Sequence, residues 1–169
     1  LSQKTAKNRA TIIAKSFGVK SLGIGVDITI PDLVQKSLDE IISHFGRIDI
    51  LINNAANDPK VDDPKELTNQ WSRLENFPID IWDADLRVGL TGAFICSQII
   101  GNYMAQCERG VILNIASDLG VIAPDQRIYR QPGLTEEEQP VKPVTYSVVK
   151  AGLIGLTRYL ATYWVMQTF

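Results

Sequence analysis

The sequence predicts an α/β fold, a doubly wound sheet of parallel strands with helices on both faces. Three apolar runs of strand length support this prediction, at 22–27, 48–52 and 111–116. Each run is almost continuously apolar, which is typical of parallel strands that helices cover on both sides. Segments with apolar residues at helical intervals alternate with these runs, and this order predicts βαβ units.

We expect helices around these strands, at about residues 2–17, 31–46, 80–107 and from 146 to the end of the chain. The second helix begins at Pro31, because proline is favoured in the first helical turn, with Thr29 or Ile30 as its cap. Two stretches are expected to lack regular structure, apart from a helical turn around 71–74: the polar segment 57–78 and the segment 117–145.

The composition is that of an ordinary globular protein, with 45% hydrophobic and 21% charged residues among 169. A chain of this length can bury one core, so we expect a single domain over 1–169. The net charge of −2 gives no reason to expect nucleic acid or an anionic membrane as a partner. With no spanning apolar run and no signal peptide, the sequence predicts a cytoplasmic protein without membrane contact.

Cysteine and histidine are too few to suggest a disulfide framework or a metal site. Cys96 and Cys107 are expected to be free thiols, as is usual in the cytoplasm. His44 stands alone near the end of the second predicted helix, where a positive charge interacts favourably with the helix dipole. We therefore expect no metal.

Tyr146 and Lys150 are the most informative pair in the chain. Their i, i+4 spacing places both side chains on one face of the last predicted helix. A fixed positive charge beside a phenol favours the phenolate, and such a pair could pass a proton to or from an alcohol or ketone oxygen. Taken alone the motif is weak, since a surface lysine beside an amphipathic tyrosine is common.

Polar or small residues follow each of the three predicted strands. Asp27 ends the first, the Asn-Asn-Ala-Ala segment 53–56 follows the second, and Ser117 follows the third. In open α/β sheets, ligands bind outside the carboxyl ends of the strands. The order of these groups, with Tyr146 and Lys150 downstream, predicts a ligand site at that edge.

These motifs, in this order, resemble those of the short-chain dehydrogenase/reductase family over nearly the whole chain, which implies a Rossmann-like fold. The segment 53–56 resembles the family's Asn-Asn-Ala-Gly turn, and 114–117 is similar to the strand that delivers the catalytic serine. Tyr146 and Lys150 match the catalytic pair. More faintly, the segment 117–150 resembles members from sugar and surface-glycan biosynthesis.

The resemblance implies an oxidoreductase that uses NAD or NADP and acts on a small-molecule secondary alcohol or ketone. Tyr146 would exchange a proton with the substrate oxygen, Lys150 would favour the phenolate and hold the nicotinamide ribose, and Ser117 would donate a hydrogen bond to the same oxygen. By the same resemblance, Asp27 and Ile28 would contact the adenine of the cofactor. Asn54 and Ala55 would line the cofactor through their backbone. Asn53 would tie neighbouring strands together.

Two departures from the family pattern concern the site. Gly89 stands where the family usually has an asparagine that supports a water relay to the lysine. The interval between Ser117 and Tyr146 is longer than usual and contains Arg127 and Arg130, which could bind a phosphate or carboxylate of the substrate. The alternative is a solvated surface excursion, and the sequence does not choose between the two.

No glycine-rich turn for the cofactor pyrophosphate is visible, and in the family this turn would precede Leu1. We therefore expect a central part of the fold, incomplete at both ends. This leaves a second function class, a catalytically silent fragment that keeps the fold and oligomerises through its helices. The helices at 80–107 and 146–164 are expected to form a homodimer or homotetramer through apolar residues: Phe94, Ile95, Ile99, Tyr103, Leu153, Leu156, Tyr159, Leu160 and Tyr163.

Overall fold

The computed structural model describes residues 2–57 and 71–164, and it has an α/β architecture. Its regular elements are α1 (Gln3–Phe17), α2 (Pro31–Phe45), β1 (Ile50–Asn53), α3 (Ile79–Leu86), α4 (Gly92–Gln106), β2 (Val111–Asn114) and α5 (Val144–Tyr163). Short 3₁₀ helices lie at Leu74–Asn76, Asp118–Gly120 and Gln126–Tyr129. The first of them stands close to the helical turn expected around 71–74, while residues 58–70 of the predicted loop lie outside the described residues.

The two strands pair in parallel, as the sequence predicts. The Val111 amide donates to the Asp49 carbonyl at 2.9 Å, and the Ile115 amide donates to the Asn53 carbonyl at 3.0 Å. Both bonds advance by the same number of residues along the two strands, which is the parallel pattern. The predictions at 48–52 and 111–116 are therefore confirmed, with ends shifted by no more than two residues.

The strand predicted at 22–27 is wrong, because this segment has no strand partner among the described residues. Its backbone lies directly against α1, where a Cβ on Gly23 would stand 2.3 Å from the Ala6 carbonyl oxygen. The Gln3 side chain donates to the Gly23 carbonyl at 3.1 Å and accepts from the Gly25 amide. The side-chain amide of Gln3 thus forms the hydrogen bonds that a neighbouring strand would otherwise make with these backbone groups.

Two compact units divide the described chain. The first contains residues 2–51, 94–113 and Trp164, and the second contains 52–57, 71–93 and 114–163. The expectation of one domain over 1–169 stays a prediction.

The core of the first unit forms where α2 and α4 meet one side of the strands. Its buried residues are Val34, Ile95, Cys96, Ile100 and Met104, and Leu51 and Ile112 of the strands pack against them. The alternate strand residues in this unit are exposed, Ile50, Val111 and Leu113. Burial raises the pKa of the Cys96 thiol to about 11, so this cysteine is unreactive near neutral pH, whereas Cys107 is an exposed free thiol.

The core of the second unit joins α5 to the segment around α3. Buried residues Ala93, Val149 and Leu153 pack with Leu86, Leu90 and Leu156. The long helix predicted at 80–107 is interrupted by a π-helical segment, Arg87–Thr91, which contains the buried Gly89. A Cβ on Gly89 would lie 2.7 Å from Val149 Cγ1, so the absence of a side chain allows this close approach.

Substituting glycine by alanine should have opposite effects at two positions of the second unit. Gly89→Ala should destabilise the fold by about 1 kcal/mol, because overpacking costs roughly 1–3 kcal/mol and exceeds the gain in helix propensity. Gly155→Ala should stabilise it by up to about 1 kcal/mol, because Gly155 lies inside α5 with no atom within 4 Å of an added Cβ. Urea unfolding of both variants measures the difference, and a shift of both in the same direction would contradict this packing.

Candidate active site at the carboxyl end of the second strand

Helix α5 begins at Val144 and places Tyr146 and Lys150 one turn apart in its first two turns. The Tyr146 amide donates to the Pro143 carbonyl at 3.1 Å, so the chain enters the helix directly before the tyrosine. Tyr146 is half-buried and Lys150 is 9% exposed. Both side chains line one cavity, as their spacing predicts.

The Lys150 ammonium is anchored at the end of β2. Its Nζ donates to the Ile115 carbonyl at 2.7 Å, and the Ile115 amide is itself bonded to the Asn53 carbonyl. An ammonium group has three N–H donors, and the described residues use one of them for Ile115. Two donors are left for other acceptors, such as a ligand hydroxyl or a water molecule.

Two positive charges flank the Tyr146 ring. Lys142 Nζ lies 3.8 Å from the ring centroid and Lys150 Nζ lies 5.6 Å from it, both within cation–π range. The Lys142 amide donates to Gln126 Oε1 at 2.8 Å, which ties this lysine to the preceding loop. Sequence reasoning missed Lys142, although its four-residue interval to Tyr146 repeats the interval from Tyr146 to Lys150.

Ser117 follows β2 and caps a short 3₁₀ helix. Its hydroxyl donates to Asp118 Oδ1 at 2.8 Å and accepts from the Leu119 amide at 3.2 Å. The turn packs closely on α5, since a Cβ on Gly120 would lie 2.7 Å from the Lys150 carbonyl carbon. The structure thus brings the serine turn to the helix turn of Lys150. Ser117 is not among the residues that line the Tyr146 cavity, and its contact with a shared substrate oxygen stays a prediction.

A chain of amide and hydroxyl groups joins the strand ends to α5. Asn53 Nδ2 donates to Asn114 Oδ1 at 2.8 Å, and Asn114 Nδ2 donates to Thr157 Oγ1 at 2.9 Å. The structural role expected for Asn53 is confirmed. Asn54 and Ala55 follow directly and are exposed, so their backbone is open to a ligand.

The cavity beside Tyr146 and Lys150 also contains a buried acidic side chain, Asp85. Its volume is about 20 Å³, and its wall includes Gly89 and Thr145. The Thr145 hydroxyl donates to Asp85 Oδ2 at 2.5 Å. Sequence reasoning missed both residues; the available signal was an acidic residue on the same helix face as Gly89.

The two arginines predicted for substrate binding are engaged by carboxylates of their own loop. Arg127 makes two bonds to Asp125, at 2.9 and 2.8 Å, and Arg130 makes two bonds to Glu136, at 2.7 and 2.5 Å. The arginine hydrogen bonds lower the pKa of Asp125 and of Glu136. This geometry supports the surface interpretation, and substrate contact by either arginine stays a prediction.

Asp27 and Ile28, the predicted adenine contacts, belong to the first unit. Asp27 Oδ1 accepts from the Thr29 amide at 2.9 Å and from its hydroxyl at 2.8 Å, which fixes the turn before α2. Ile28 packs against the core of that unit. Their contact with a cofactor stays a prediction.

Two features are absent from the part of the chain that the structure describes. In residues 2–57 and 71–164, no three His, Cys, Asp or Glu side chains are grouped so that they could hold a metal ion. None of the helices in the same ranges combines the length and the apolar character needed to cross a membrane.

Comparison with known proteins places these residues in a family. The family model for short chain dehydrogenases matches residues 1–129. D-threitol dehydrogenase from Mycolicibacterium smegmatis is 28% identical over 142 residues, which cover 84% of this chain and 44% of the relative. The 3-oxoacyl-[acyl-carrier-protein] reductase FabG from Aquifex aeolicus is 32% identical over 160 residues, which cover 95% of this chain and 54% of the relative.

A solved structure matches the fold of this chain. The solved structure of an NAD⁺-bound xylitol dehydrogenase matches with a TM-score of 0.77 at 22% identity, over 99% of this chain and 54% of that chain. The chain thus spans about half the length of the relatives it matches. The prediction of an α/β, Rossmann-like fold is confirmed, and the chain belongs to the short chain dehydrogenase family.

Proposed function

We propose that the chain carries the proton-transfer site of an NAD- or NADP-dependent oxidoreductase that acts on a secondary alcohol or ketone. The observation that carries this proposal is the pairing of Tyr146 with a Lys150 ammonium that Ile115 anchors at the strand end. Membership of the family and relatives named as dehydrogenase and reductase support it.

Tyr146 is the proposed general acid and base. In reduction its hydroxyl gives a proton to the carbonyl oxygen of the substrate, and in oxidation the phenolate takes the proton from the alcohol. The ammonium groups of Lys142 and Lys150 lie within cation–π distance of the ring, which holds the phenol in place on the first turn of α5.

The donors present fit a dinucleotide cofactor, which supplies or accepts the hydride when it is bound. Lys150 has two N–H donors beyond the one given to Ile115, and one of them suits a ribose hydroxyl. Asn54 and Ala55 offer exposed backbone after β1 for further contacts. Asp27 and Ile28 are proposed for adenine on the family resemblance alone.

Ser117 is proposed to donate a hydrogen bond to the substrate oxygen, where charge develops during the reaction. Because its one hydrogen is directed to Asp118, the hydroxyl must rotate away from that carboxylate to act. Substrate binding therefore competes with the Ser117–Asp118 hydrogen bond.

Tyr146→Phe should lower turnover strongly while keeping the fold, because it removes the hydroxyl and leaves the ring near the two lysines. We expect a loss of at least about 100-fold in kcat, the usual contribution of a general acid or base. Absorbance at 340 nm follows NADH or NADPH with a panel of polyols and 3-oxoacyl thioesters. Tyr159→Phe, at an exposed tyrosine on the same helix, is the matched control.

Wild-type turnover in the Tyr146→Phe protein would contradict the assignment of the proton donor. A wild-type chain that turns over none of the panel with either cofactor would instead favour the second function class, a silent member of the family.

Lys150→Met should weaken cofactor binding. Hydrogen bonds to a charged group contribute roughly 1.5–3 kcal/mol, so we expect the Kd for NADH or NADPH to rise by about tenfold or more. Calorimetric titration measures this change, and Lys36→Met, at an exposed lysine of α2, controls for the loss of one positive charge. Equal Kd values for wild type and Lys150→Met would remove Lys150 from the cofactor site.

We also propose that two or four copies associate through the helices at 80–107 and 146–164. On α4, Phe94 is 47% exposed; on α5, Tyr159 and Tyr163 are both exposed and stack with ring centroids 5.7 Å apart. The expectation that Ile95 and Leu153 contribute to this surface is wrong, because both are buried in the core. Exposed aromatic groups of this kind are frequent at interfaces.

Replacing both stacked tyrosines by aspartate should reduce the molar mass in solution to that of one chain, because four charges would be buried in each pair of copies. Light scattering measures the mass, and Val121→Asp, at an exposed residue outside these helices, is the control. A wild-type chain that remains a monomer at high concentration would refute the association.

A further inference from the structure

Asp85 is a buried carboxylate beside the candidate active site, and it is 6% exposed. Burying a carboxylate costs free energy unless hydrogen bonds and charges compensate it. The Thr145 hydroxyl provides one bond, and Thr145 is itself 2% exposed and directly precedes Tyr146. The acidic group is thus fixed against the first turn of α5.

The cavity next to this pair has the size and polarity for one water molecule. Its volume is about 20 Å³, and a cavity needs roughly 10–15 Å³ to accommodate one water. A buried water also requires two to four polar partners. The wall supplies them from Asp85, Thr145, Tyr146, Lys150 and Asn57.

Residue 89 contributes no side-chain polar group to this cavity. The glycine has no side chain, and a Cβ there would lie 2.7 Å from Val149 Cγ1. Val149 is 5% exposed, so it has little space in which to move away. The acceptor on the α3 side is instead Asp85, one helical turn earlier on the same face.

We propose that Asp85 and Thr145 hold a water molecule in this cavity beside Lys150, and that Asp85 is thereby a positioning residue for Lys150 and Tyr146. The water accepts from the ammonium and donates to the Asp85 carboxylate, which connects the two opposite charges across the cavity. Lys142 Nζ also lies near the Tyr146 ring, at 3.8 Å from its centroid, and is part of the same charge arrangement. The kinetic consequence, though not the water site, rests on the proposed function.

A purely structural role for Asp85 makes a different prediction. A carboxylate near the first turn of α5 interacts favourably with the positive end of the helix, and the bond to Thr145 ties α3 to α5. In that case, replacing Asp85 and Thr145 would change the unfolding free energy and leave kcat unchanged.

The structure test uses the full chain and does not require activity. A crystal structure at atomic resolution should show one water bonded to both Asp85 and Lys150. Asp85→Asn should keep that water, because the amide oxygen still accepts a hydrogen bond. The apolar pair Asp85→Leu with Thr145→Val should exclude it. A wild-type cavity without water, or a water that contacts neither residue, would overturn the proposal.

The kinetic test uses the same variants. The apolar pair should lower kcat by about tenfold, the loss of one charge-assisted hydrogen bond, with KM unchanged. Its unfolding free energy should be close to that of wild type, because replacing both partners of a buried bond by apolar groups is often neutral. Asp85→Asn should restore most of kcat, and Asp83→Asn, at an exposed position of α3, should have no effect.

If the folded double variant Asp85→Leu with Thr145→Val kept the wild-type kcat, Asp85 would have a structural role only, and the positioning role would be refuted. Should the wild type show no turnover, the proposed function fails, and the water in the crystal structure still decides this proposal.

Discussion

The hydrogen bond from the Lys150 ammonium to the Ile115 carbonyl is the contact on which the candidate site depends. Lys150 is 9% exposed, and a buried ammonium requires a hydrogen-bond acceptor. The carbonyl of Ile115, the residue directly after β2, is that acceptor. Ile115 is in turn bonded to Asn53, so one ammonium is coupled to the ends of both strands. Because Tyr146 lies one turn before Lys150 on the same helix, this bond also sets the position of the phenol.

The packing around α5 permits this arrangement only with small residues at defined places. Gly89 allows contact with Val149, and Gly120 lets the serine turn lie against the backbone of Lys150. The Asn53–Asn114–Thr157 chain holds α5 to the strand ends by side-chain bonds. Three charged side chains lie near Tyr146: two lysines at its ring, and Asp85 in the wall of the shared cavity.

Local sequence patterns predict much of the fold and part of the candidate site. Helical spacing predicted the shared face of Tyr146 and Lys150, and apolar runs predicted the two paired strands. The run at 22–27 looks equally strand-like, but Gln3, about twenty residues away, takes its backbone groups, and such long-range contacts leave no local pattern. Arg127 and Arg130 are of the residue type expected in an anion site, but each forms an ion pair with a nearby carboxylate. Asp85 could not be selected among many acidic residues, because its burial depends on tertiary packing against Thr145.

We propose that Lys150, held by Ile115, presents an N–H donor to the cofactor ribose next to Tyr146. The most direct measurement is a crystal structure of the chain with NADH or NADPH bound. We expect Lys150 Nζ to keep its bond to the Ile115 carbonyl and also to donate to a hydroxyl of the nicotinamide ribose, with the nicotinamide beside the Tyr146 hydroxyl. A bound cofactor whose ribose hydroxyls pair elsewhere, or a Lys150 that leaves Ile115, would contradict it.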